Sequence, residues 1–222
     1  MIRAEVHIVK KNVKHINLKV KPSGEVILTV PQNSTTRDIE YVLKKRSKWI
    51  NEKVAFFDTY KEITTKEYIS GESFRYLGRH YRLKVIESQD EGVKLQRGYL
   101  QVFVKDQYNL EHKKRLLHKW YIQKAKIYLD KVVYSYKPLI KKDIDRISIR
   151  EMKTRWGSCN PSKGYINFNL KLIEKPKECI EYVVLHELTH LIYPNHSQHF
   201  YAYLDLHMSD WKKRKEKLEM LD

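Results

Sequence analysis

The feature that most limits the fold of this chain is a five-residue segment in which two histidines stand four positions apart. His186 and His190 flank Glu187 in the run HELTH. On a helix, side chains four positions apart lie on the same face, so both imidazoles can reach one metal ion. Glu187 lies about 100° further round the helix than His186, where its carboxylate can contact a water on that ion without binding the ion itself. The segment therefore predicts a helix that carries a metal site.

A catalytic zinc site commonly has three protein ligands and an open fourth position, so a third ligand must follow the helix. The candidates are His196, His199, His207 and Asp205. Pro194-Asn195 is a strong signal for the end of a helix, and a turn there brings His196 back toward the pair. His199 is expected to leave on the next helix, which Ser197 caps. His196 is therefore the preferred third ligand.

Chance is an alternative explanation, because a chain with 10 histidines can contain this pattern by accident. The run IEYVVL at 180–185 is strongly apolar, which predicts a buried helix rather than a solvated one. Burying two neutral histidines and a glutamate without a partner is unfavourable, and a metal ion would supply that partner. The sequence context therefore favours a metal site over chance.

Length and composition limit the class of protein. The chain has 222 residues, of which 41% are hydrophobic, enough to bury a core in one large domain or two small ones. No apolar run approaches the roughly 20 residues that cross a bilayer, and the start of the chain lacks the apolar stretch of a secretory signal. Two cysteines, Cys159 and Cys179, are too few for a disulfide framework. We expect a soluble protein of the reducing cytoplasm without membrane association.

The charge of the chain is strongly positive. It has 44 lysines and arginines against 27 aspartates and glutamates, which gives a net charge of +17. Such a charge attracts phosphates, so a nucleotide or nucleic acid is a candidate anionic partner. The basic clusters lie on or beside expected helices, where a solvated cationic face is the commoner explanation. No known nucleic-acid-reading motif accompanies them.

The first half of the chain has the pattern of short strands with one helix. Apolar residues alternate on both sides of Pro22-Ser23-Gly24, which predicts a hairpin within residues 5–30. Residues 35–60 are predicted to form a helix, and 71–104 short strands separated by glycines. A long helix is expected over about 110–136. We place an N-terminal β-rich region with one helix at 1–108 and a compact second domain at 109–222.

The last third of the chain is organised around the predicted helix that carries His186 and His190, which we call the metal helix. Residues 147–152 and 165–169 alternate like strands on either side of a turn at 160–164. Pro176 stands where a first helical residue belongs and starts the metal helix. A further helix and a basic C-terminal helix are expected after it. The chain is thus predicted to be α+β, with a helix, a short sheet, the metal helix and C-terminal helices in its core.

The segment between the two predicted strands carries further candidates. WGS at 156–158 is expected to shape a turn that supports the metal helix. Cys159 is interpreted as a structural thiol in preference to a ligand. Asn167 and Asn169 are expected on an edge strand, to which an extended peptide substrate can add.

Four segments share a pattern with a known family. They are RWGSC at 155–159, NFN at 167–169, YVVLHELTH at 182–190 and NHSQHF at 195–200. Together they resemble the YgjP-like metallopeptidase family, which is related to the SprT and WLM zincin groups. The resemblance implies that the second domain is a zincin-like catalytic domain. It also implies zinc binding by His186, His190 and His196, with Glu187 as the catalytic carboxylate.

The expected chemistry follows from the metal. Zinc lowers the pKa of a bound water toward about 7, and Glu187 can take its proton and return it to the leaving amine. A further group must help to stabilise the oxyanion, and Arg155 and Tyr193 are the candidates. Each has a structural alternative. Arg155 can form a salt bridge to Glu151 or Glu181, and Tyr193 can simply pack at the helix end.

Several functions remain open at this point. The ligand set favours a zinc metallopeptidase that cleaves a peptide or protein substrate. The same metal can hydrolyse a nucleotide, as in a pyrophosphatase, and the net charge of +17 would attract that substrate. A nucleic-acid-associated protease combines the two ideas. A non-catalytic nucleic-acid-associated module is disfavoured, because Glu187 would then have no purpose.

Overall fold

The computed structural model describes residues 4–13, 15–21, 24–60 and 66–221, with the backbone alone at 56–60. The described residues form an α+β protein, which confirms the predicted fold class. The chain divides into two compact units, Met1–Lys66 and Glu67–Asp222. None of the described helices is both long and apolar enough to cross a bilayer.

The first unit packs one helix against a small sheet. Its elements are β1 (Val6–Lys11), β2 (Asn17–Val20), β3 (Val26–Pro31) and α1 (Thr36–Tyr60). The predicted hairpin is confirmed, since β2 pairs antiparallel with β3, and β1 pairs with β3 in parallel. The helix begins with a capping box in which Asp38 and Thr35 exchange hydrogen bonds. Ile39 and Ile50 of α1 pack against buried apolar residues of β3.

The second unit begins with a four-stranded sheet and a long helix. The elements are β4 (Ser73–Tyr76), β5 (Arg79–Glu87), β6 (Gly92–Gln96), β7 (Tyr99–Val104) and α2 (Leu110–Tyr136), and the strand order is β4-β5-β7-β6. Phe74 and Leu83 share a buried cluster with Leu117 and Trp120 of α2. Because the sheet buries its apolar face against α2, the division between units falls after residue 66. The predicted boundary between 108 and 109 does not coincide with it.

The turn between β4 and β5 fixes this sheet to the segment that precedes the metal helix. The backbone N–H of Leu77 donates to the carbonyl of Ile173 at 2.8 Å, and that of Gly78 donates to the carbonyl of Glu174 at 3.2 Å. Gly78 has a φ of +78°, and a Cβ there would lie 2.7 Å from the Cα of Pro176. Glycine alone satisfies both the backbone conformation and the close contact.

The second sheet of this unit corrects two predictions. It consists of β8 (Arg146–Arg150), β9 (Gly157–Asn160) and β10 (Tyr165–Asn169), in the order β8-β10-β9. Residues 157 and 158 form a strand rather than a turn; the sequence hid it because GSCN has no apolar alternation. The strand with Asn167 and Asn169 is central rather than at an edge, because β8 and β9 pair with its two sides. The alternation of apolar residues predicts that a segment is a strand, but it does not predict which strands pair with it.

Three helices complete the unit. A 3₁₀ segment at Leu170–Glu174 leads into α3 (Lys177–Ile192), which α4 (Gln198–His207) and α5 (Trp211–Met220) follow. Pro176 is the residue that caps α3 and not, as predicted, its first helical residue. Ten residues of α3 are buried, and the helix contacts α2, β9, α4 and α5. The metal helix is therefore a core helix, as the apolar run before the motif predicted.

Candidate metal centre

His186 and His190 lie one turn apart on α3 with ring centroids separated by 4.9 Å. Phe200 of α4 packs against both rings, at centroid distances of 5.0 and 4.7 Å. The two imidazoles are thus held between α3 and α4, on the face of α3 that the four-residue spacing predicted.

His196 completes the group. After α3 ends at Ile192, the chain turns back, and the Ser197 hydroxyl caps α4 by accepting a hydrogen bond from the Phe200 N–H at 3.4 Å. The Nε2 atoms of His196 and His186 lie 3.1 Å apart. One nitrogen from each of the three rings, His190 included, lies within 4.8 Å of the other two. The turn expected at Pro194 therefore brings the three imidazoles together.

The other candidates for a third ligand make different contacts. The ring of His199 stacks on Tyr193 at a centroid distance of 6.2 Å. Asp205 accepts a hydrogen bond from Nε1 of Trp211 at 2.7 Å. The ring of His207 packs against Tyr203 at 4.4 Å. Within the described part of the chain, the group able to hold a metal ion contains none of these three.

The protonation states of His186 and His190 suit a metal ion. Burial lowers the pKa of His186 to about 3, with smaller contributions from His190, His196 and Lys215. Burial is also the largest cause that lowers the pKa of His190. Both rings are therefore neutral at pH 7, as ligands must be. Nδ1 of His190 lies 3.3 Å from the carbonyl oxygen of Tyr193, and donation there leaves Nε2 of His190 for a metal.

The contacts of His186 also fit a metal ion. Its Nε2 faces Nε2 of His196 at 3.1 Å. A cation between the two neutral rings would accept a lone pair from Nε2 of each. Without a cation, a hydrogen bond between the two nitrogens needs one ring as donor and the other as acceptor. Three imidazole nitrogens suit zinc and similar transition ions better than magnesium or calcium.

Glu187 lies in the same cavity as the three rings, which has a volume of about 550 Å³. The residue is 6% exposed. Burial raises the pKa of its carboxyl group to about 8, against a lowering by Arg155. A carboxyl group with a pKa in this range can exchange a proton near neutral pH, which a general base requires.

Gly157 of β9 sets the space available to Glu187. A Cβ at Gly157 would lie 2.7 Å from both Cγ and Oε1 of Glu187, closer than side-chain atoms normally approach. The φ of Gly157 is not in the left-handed region, so the requirement for glycine is steric and not conformational. Any larger residue must displace the carboxyl group or the strand.

Arg155 precedes β9, is exposed and lines the cavity. Asn169 of β10 holds the backbone of this segment, because its Nδ2 donates to the carbonyls of Met152 and Arg155, both at 2.9 Å. The buried amide of Asn169 therefore holds the backbone that leads into β9 and does not serve as a substrate contact.

Neither salt bridge considered for Arg155 occurs among the described residues. Glu151 lies 3.6 Å from His118, and Glu181 lies 2.6 Å from Arg214. The guanidinium group of Arg155 thus contributes a positive charge to the cavity lining.

The side chain of Tyr193 is not brought into the cavity lining. Its ring packs against His199 and Tyr203, at centroid distances of 6.2 and 5.9 Å. Its contact with the site is through the backbone, since its carbonyl oxygen faces Nδ1 of His190. The geometry agrees with the packing alternative and gives no support to a catalytic hydroxyl.

Cys159 lines the cavity but is not part of the metal-binding group. Burial, followed by the charge of Glu187, raises the pKa of its thiol to about 12. Because the thiolate is the form that binds metals, a thiol that stays protonated is a poor ligand. The structure agrees with the structural role expected for it.

The C-terminal helix α5 supplies cavity residues that the sequence analysis missed. Lys215 and Glu219 line the cavity together with Tyr182 of α3. Lys215 stands in a basic cluster that was interpreted as a solvated helix face. The available signal was the spacing of Trp211, Lys215 and Leu218, which places the lysine on the same face as two buried apolar residues.

A series of aromatic rings connects α5 to the histidines. Tyr182 lies edge-on to His186 at 5.7 Å and stacks on Trp211 at 6.2 Å. Trp211 stacks on Tyr201 at 5.5 Å, and Tyr201 stacks on His196 at 6.1 Å. The rings thus hold the first turn of α5 beside two members of the metal-binding group.

The core helix α3 carries two histidines with a buried glutamate between them, and a third histidine follows the helix. This arrangement is typical of a metallohydrolase site. The chain matches the family model described as "YgjP-like, metallopeptidase domain" over residues 14–220. The chain belongs to this YgjP-like family, so it is a metallopeptidase by family and its site is expected to hold a metal ion. The resemblance identified in its motifs is confirmed.

Other comparisons add little. No curated protein matches the chain. Among solved structures, the metallopeptidase zymogen jannalysin of Methanocaldococcus jannaschii matches with 23% identity and a TM-score of 0.35. The match covers 42% of this chain and 91% of that chain. The overall similarity is too low for any feature to be transferred.

Proposed function

We propose that this protein is a zinc metallopeptidase in which Glu187 is the general base. The observation that carries the proposal is the convergence of three imidazoles, from His186, His190 and His196, in one cavity with a buried carboxyl group. Three nitrogen ligands and one open position form a common ligand set of catalytic zinc. Family membership supports a peptide bond as the bond that is cleaved.

The chain's own residues account for the proton transfers. A zinc ion in this site would supply Lewis acidity, which lowers the pKa of water at the open position toward about 7. Glu187 accepts a proton from the attacking water and delivers it to the leaving nitrogen. Gly157 contributes by leaving room for the carboxyl group beside the strand.

An extended peptide is proposed to bind along β9. This strand is at the edge of its sheet, and Gly157, Ser158 and Cys159 line the cavity that contains Glu187. Strand addition at an edge uses main-chain hydrogen bonds, so it can position peptides of different sequence. The substrate role expected for the strand with Asn167 and Asn169 thereby passes to β9.

Arg155 is the proposed partner for negative charge that develops on the substrate. It is a cation of the cavity lining and is close enough to Glu187 to lower the pKa of that carboxyl group. A cation placed where charge develops is a common means of stabilising an oxyanion.

Nucleotide hydrolysis is the alternative that the net charge of +17 suggested. The excess of positive charge is not concentrated in the cavity. Two basic side chains, from Arg155 and Lys215, line it together with two acidic ones, from Glu187 and Glu219. Sites for nucleoside triphosphates gather cations and backbone N–H groups around the phosphates, and acidic neighbours oppose this. The lining therefore favours a peptide.

Parallel assays of the zinc-loaded protein test the proposal. Peptide libraries analysed by mass spectrometry report cleavage, and phosphate or pyrophosphate release reports nucleotide hydrolysis. We expect peptide cleavage that chelation abolishes, zinc restores and Glu187→Gln reduces by about 100- to 10,000-fold, the usual range for loss of a general base. Nucleotide hydrolysis that depends on zinc and on Glu187, without any peptide cleavage, would overturn the proposal.

A further inference from the structure

Lys215 and Glu219 are the two charged side chains that α5 contributes to the cavity lining. They stand four positions apart and therefore share one face of the helix. Nζ of Lys215 and Oε1 of Glu219 lie 3.8 Å apart, and the two side chains are 48% and 66% exposed. An exposed ion pair with this separation contributes little to stability, so another partner can replace either member.

Other residues hold α5 in place. Arg214 contacts Glu181 of α3 at 2.6 Å, and Lys217 contacts Glu178 of α3 at 2.6 Å. Trp211 and Leu218 are also buried in the core of the unit. Lys215 and Glu219 are thus positioned by the helix but are not needed to anchor it, which leaves them available for a ligand.

The charges around Lys215 suit an acidic ligand group. The acidic side chains that line the cavity are those of Glu219, which is weakly held, and Glu187, which is buried against Gly157. Because the cavity is lined by both β9 and α5, a peptide lying along β9 comes within reach of Lys215. A carboxylate on that peptide can accept a charge-assisted hydrogen bond from the ammonium group of Lys215, and Glu219 is the partner that it must replace.

We propose that Lys215 is a specificity-determining residue that selects peptides with a carboxylate close to the scissile bond. This proposal rests on the proposed peptidase function. Glu219 competes with the substrate for Lys215, so a neutral peptide leaves the ion pair intact and an acidic one exchanges it. Two sources present the same chemistry, namely an acidic side chain and the C-terminal carboxylate of a short peptide.

Three matched peptides separate these sources. The first has an acidic residue beside the cleaved bond and an amidated C-terminus, the second has the amide analogue of that residue and a free C-terminus, and the third has neither carboxylate. Each is tested as a substrate of the zinc-loaded wild type, Lys215→Met and Glu219→Gln. Lys213→Met and Glu216→Gln are matched controls, because both residues are exposed on α5 and neither lines the cavity.

We expect the wild type to prefer one carboxylate peptide over the neutral peptide by about tenfold in kcat/KM, mainly through KM. Lys215→Met should remove this preference, so that its kcat/KM for the preferred carboxylate peptide equals that for the neutral peptide, and Glu219→Gln should increase the preference. The control variants should behave like the wild type. Equal losses on all three peptides in Lys215→Met, or a wild type without any preference, would overturn the proposal.

A binding measurement separates this proposal from the proposed function. Calorimetric titration of the same peptides into zinc-loaded Glu187→Gln, with and without Lys215→Met, reports selection without turnover. A carboxylate preference that disappears with Lys215, in a wild type that cleaves no peptide, would support selection and overturn the peptidase assignment. Cleavage without any preference would support the peptidase and overturn selection. Absence of both binding and cleavage would overturn both.

Discussion

The cavity lining has two parts that carry charge in different ways. Its floor belongs to α3, where burial moves the pKa of His186 to about 3 and that of Glu187 to about 8. Its rim consists of Arg155 before β9 and of Lys215 and Glu219 on α5, and these three side chains are exposed. The floor groups have lost hydration and have fixed positions, whereas the rim groups remain hydrated.

This difference assigns different tasks to the two parts. Proton transfer and metal binding depend on Glu187 and on the two ligands of α3, whose pKa values burial shifts, while the exposed third ligand His196 is held by stacking on Tyr201. Selection of a substrate requires charges that can exchange partners, which exposure on the rim provides. Changes in the floor, and of Arg155 on the rim, are therefore expected to affect the chemical step most, and changes of Lys215 and Glu219 to affect substrate preference.

Loss of a floor ligand should have the largest effect. His190→Ala is expected to lower zinc affinity by more than about 100-fold, the upper range for loss of an outer-shell partner, because a direct ligand is removed. Competition with a chelating dye measures the affinity, and Lys213→Ala serves as control. An unchanged affinity in His190→Ala would exclude this residue as a ligand.

Gly157→Ala tests the floor from the side of β9. The added Cβ would overlap Glu187, so kcat should fall by about 100-fold, as expected for displacement of a catalytic group by about 1 Å. Zinc affinity should stay near that of the wild type, since the ligands are not touched. Gly92→Ala is the matched control, because a Cβ there meets nothing within 4 Å. Equal effects of the two substitutions would contradict the steric role of Gly157.

The pH dependence of stability tests the burial of Glu187. Its carboxyl group has a pKa of about 8 in the fold against 4.5 as its ordinary value. Between these pH values the unfolded chain has released the proton while the folded protein keeps it, so stability falls as pH rises. Metal-free Glu187→Gln should therefore gain stability over the metal-free wild type, by on the order of a few kcal/mol more at pH 8 than at pH 5. Urea denaturation of both proteins measures this, and a pH-independent difference would refute it.

Substitution of Arg214, which helps to anchor α5, should have the smallest effect. Arg214→Gln removes contacts to Glu181 and Asp210 from a side chain that is 21% exposed. We expect a loss of about 1 kcal/mol, and thus a melting temperature lower by a few degrees, while Lys213→Gln stays near the wild type. Thermal unfolding followed by circular dichroism measures this. An unchanged melting temperature would mean that Trp211, Leu218 and Lys217 anchor the helix without Arg214.

Much of the floor could be predicted because its geometry is local. The four-residue spacing of His186 and His190, the apolar run before them and the proline that ends the helix all act within about four turns of chain. The strand β9 was missed because its four residues have no apolar alternation, and its pairing with β10 is a contact between segments. The surroundings of Tyr193 could not be predicted either, since the turn that brings His196 back directs its ring toward His199.

The sequence by itself determined the ligand helix and the α+β class, because helical spacing and apolar periodicity depend on neighbouring residues, and its motifs carried the resemblance to the family. Tertiary structure alone decided that Gly157 packs on Glu187, that β9 is an edge strand and that Lys215 and Glu219 belong to the cavity. These contacts join residues far apart in the chain, and burial, which sets the pKa of Glu187, exists only after those segments have packed together.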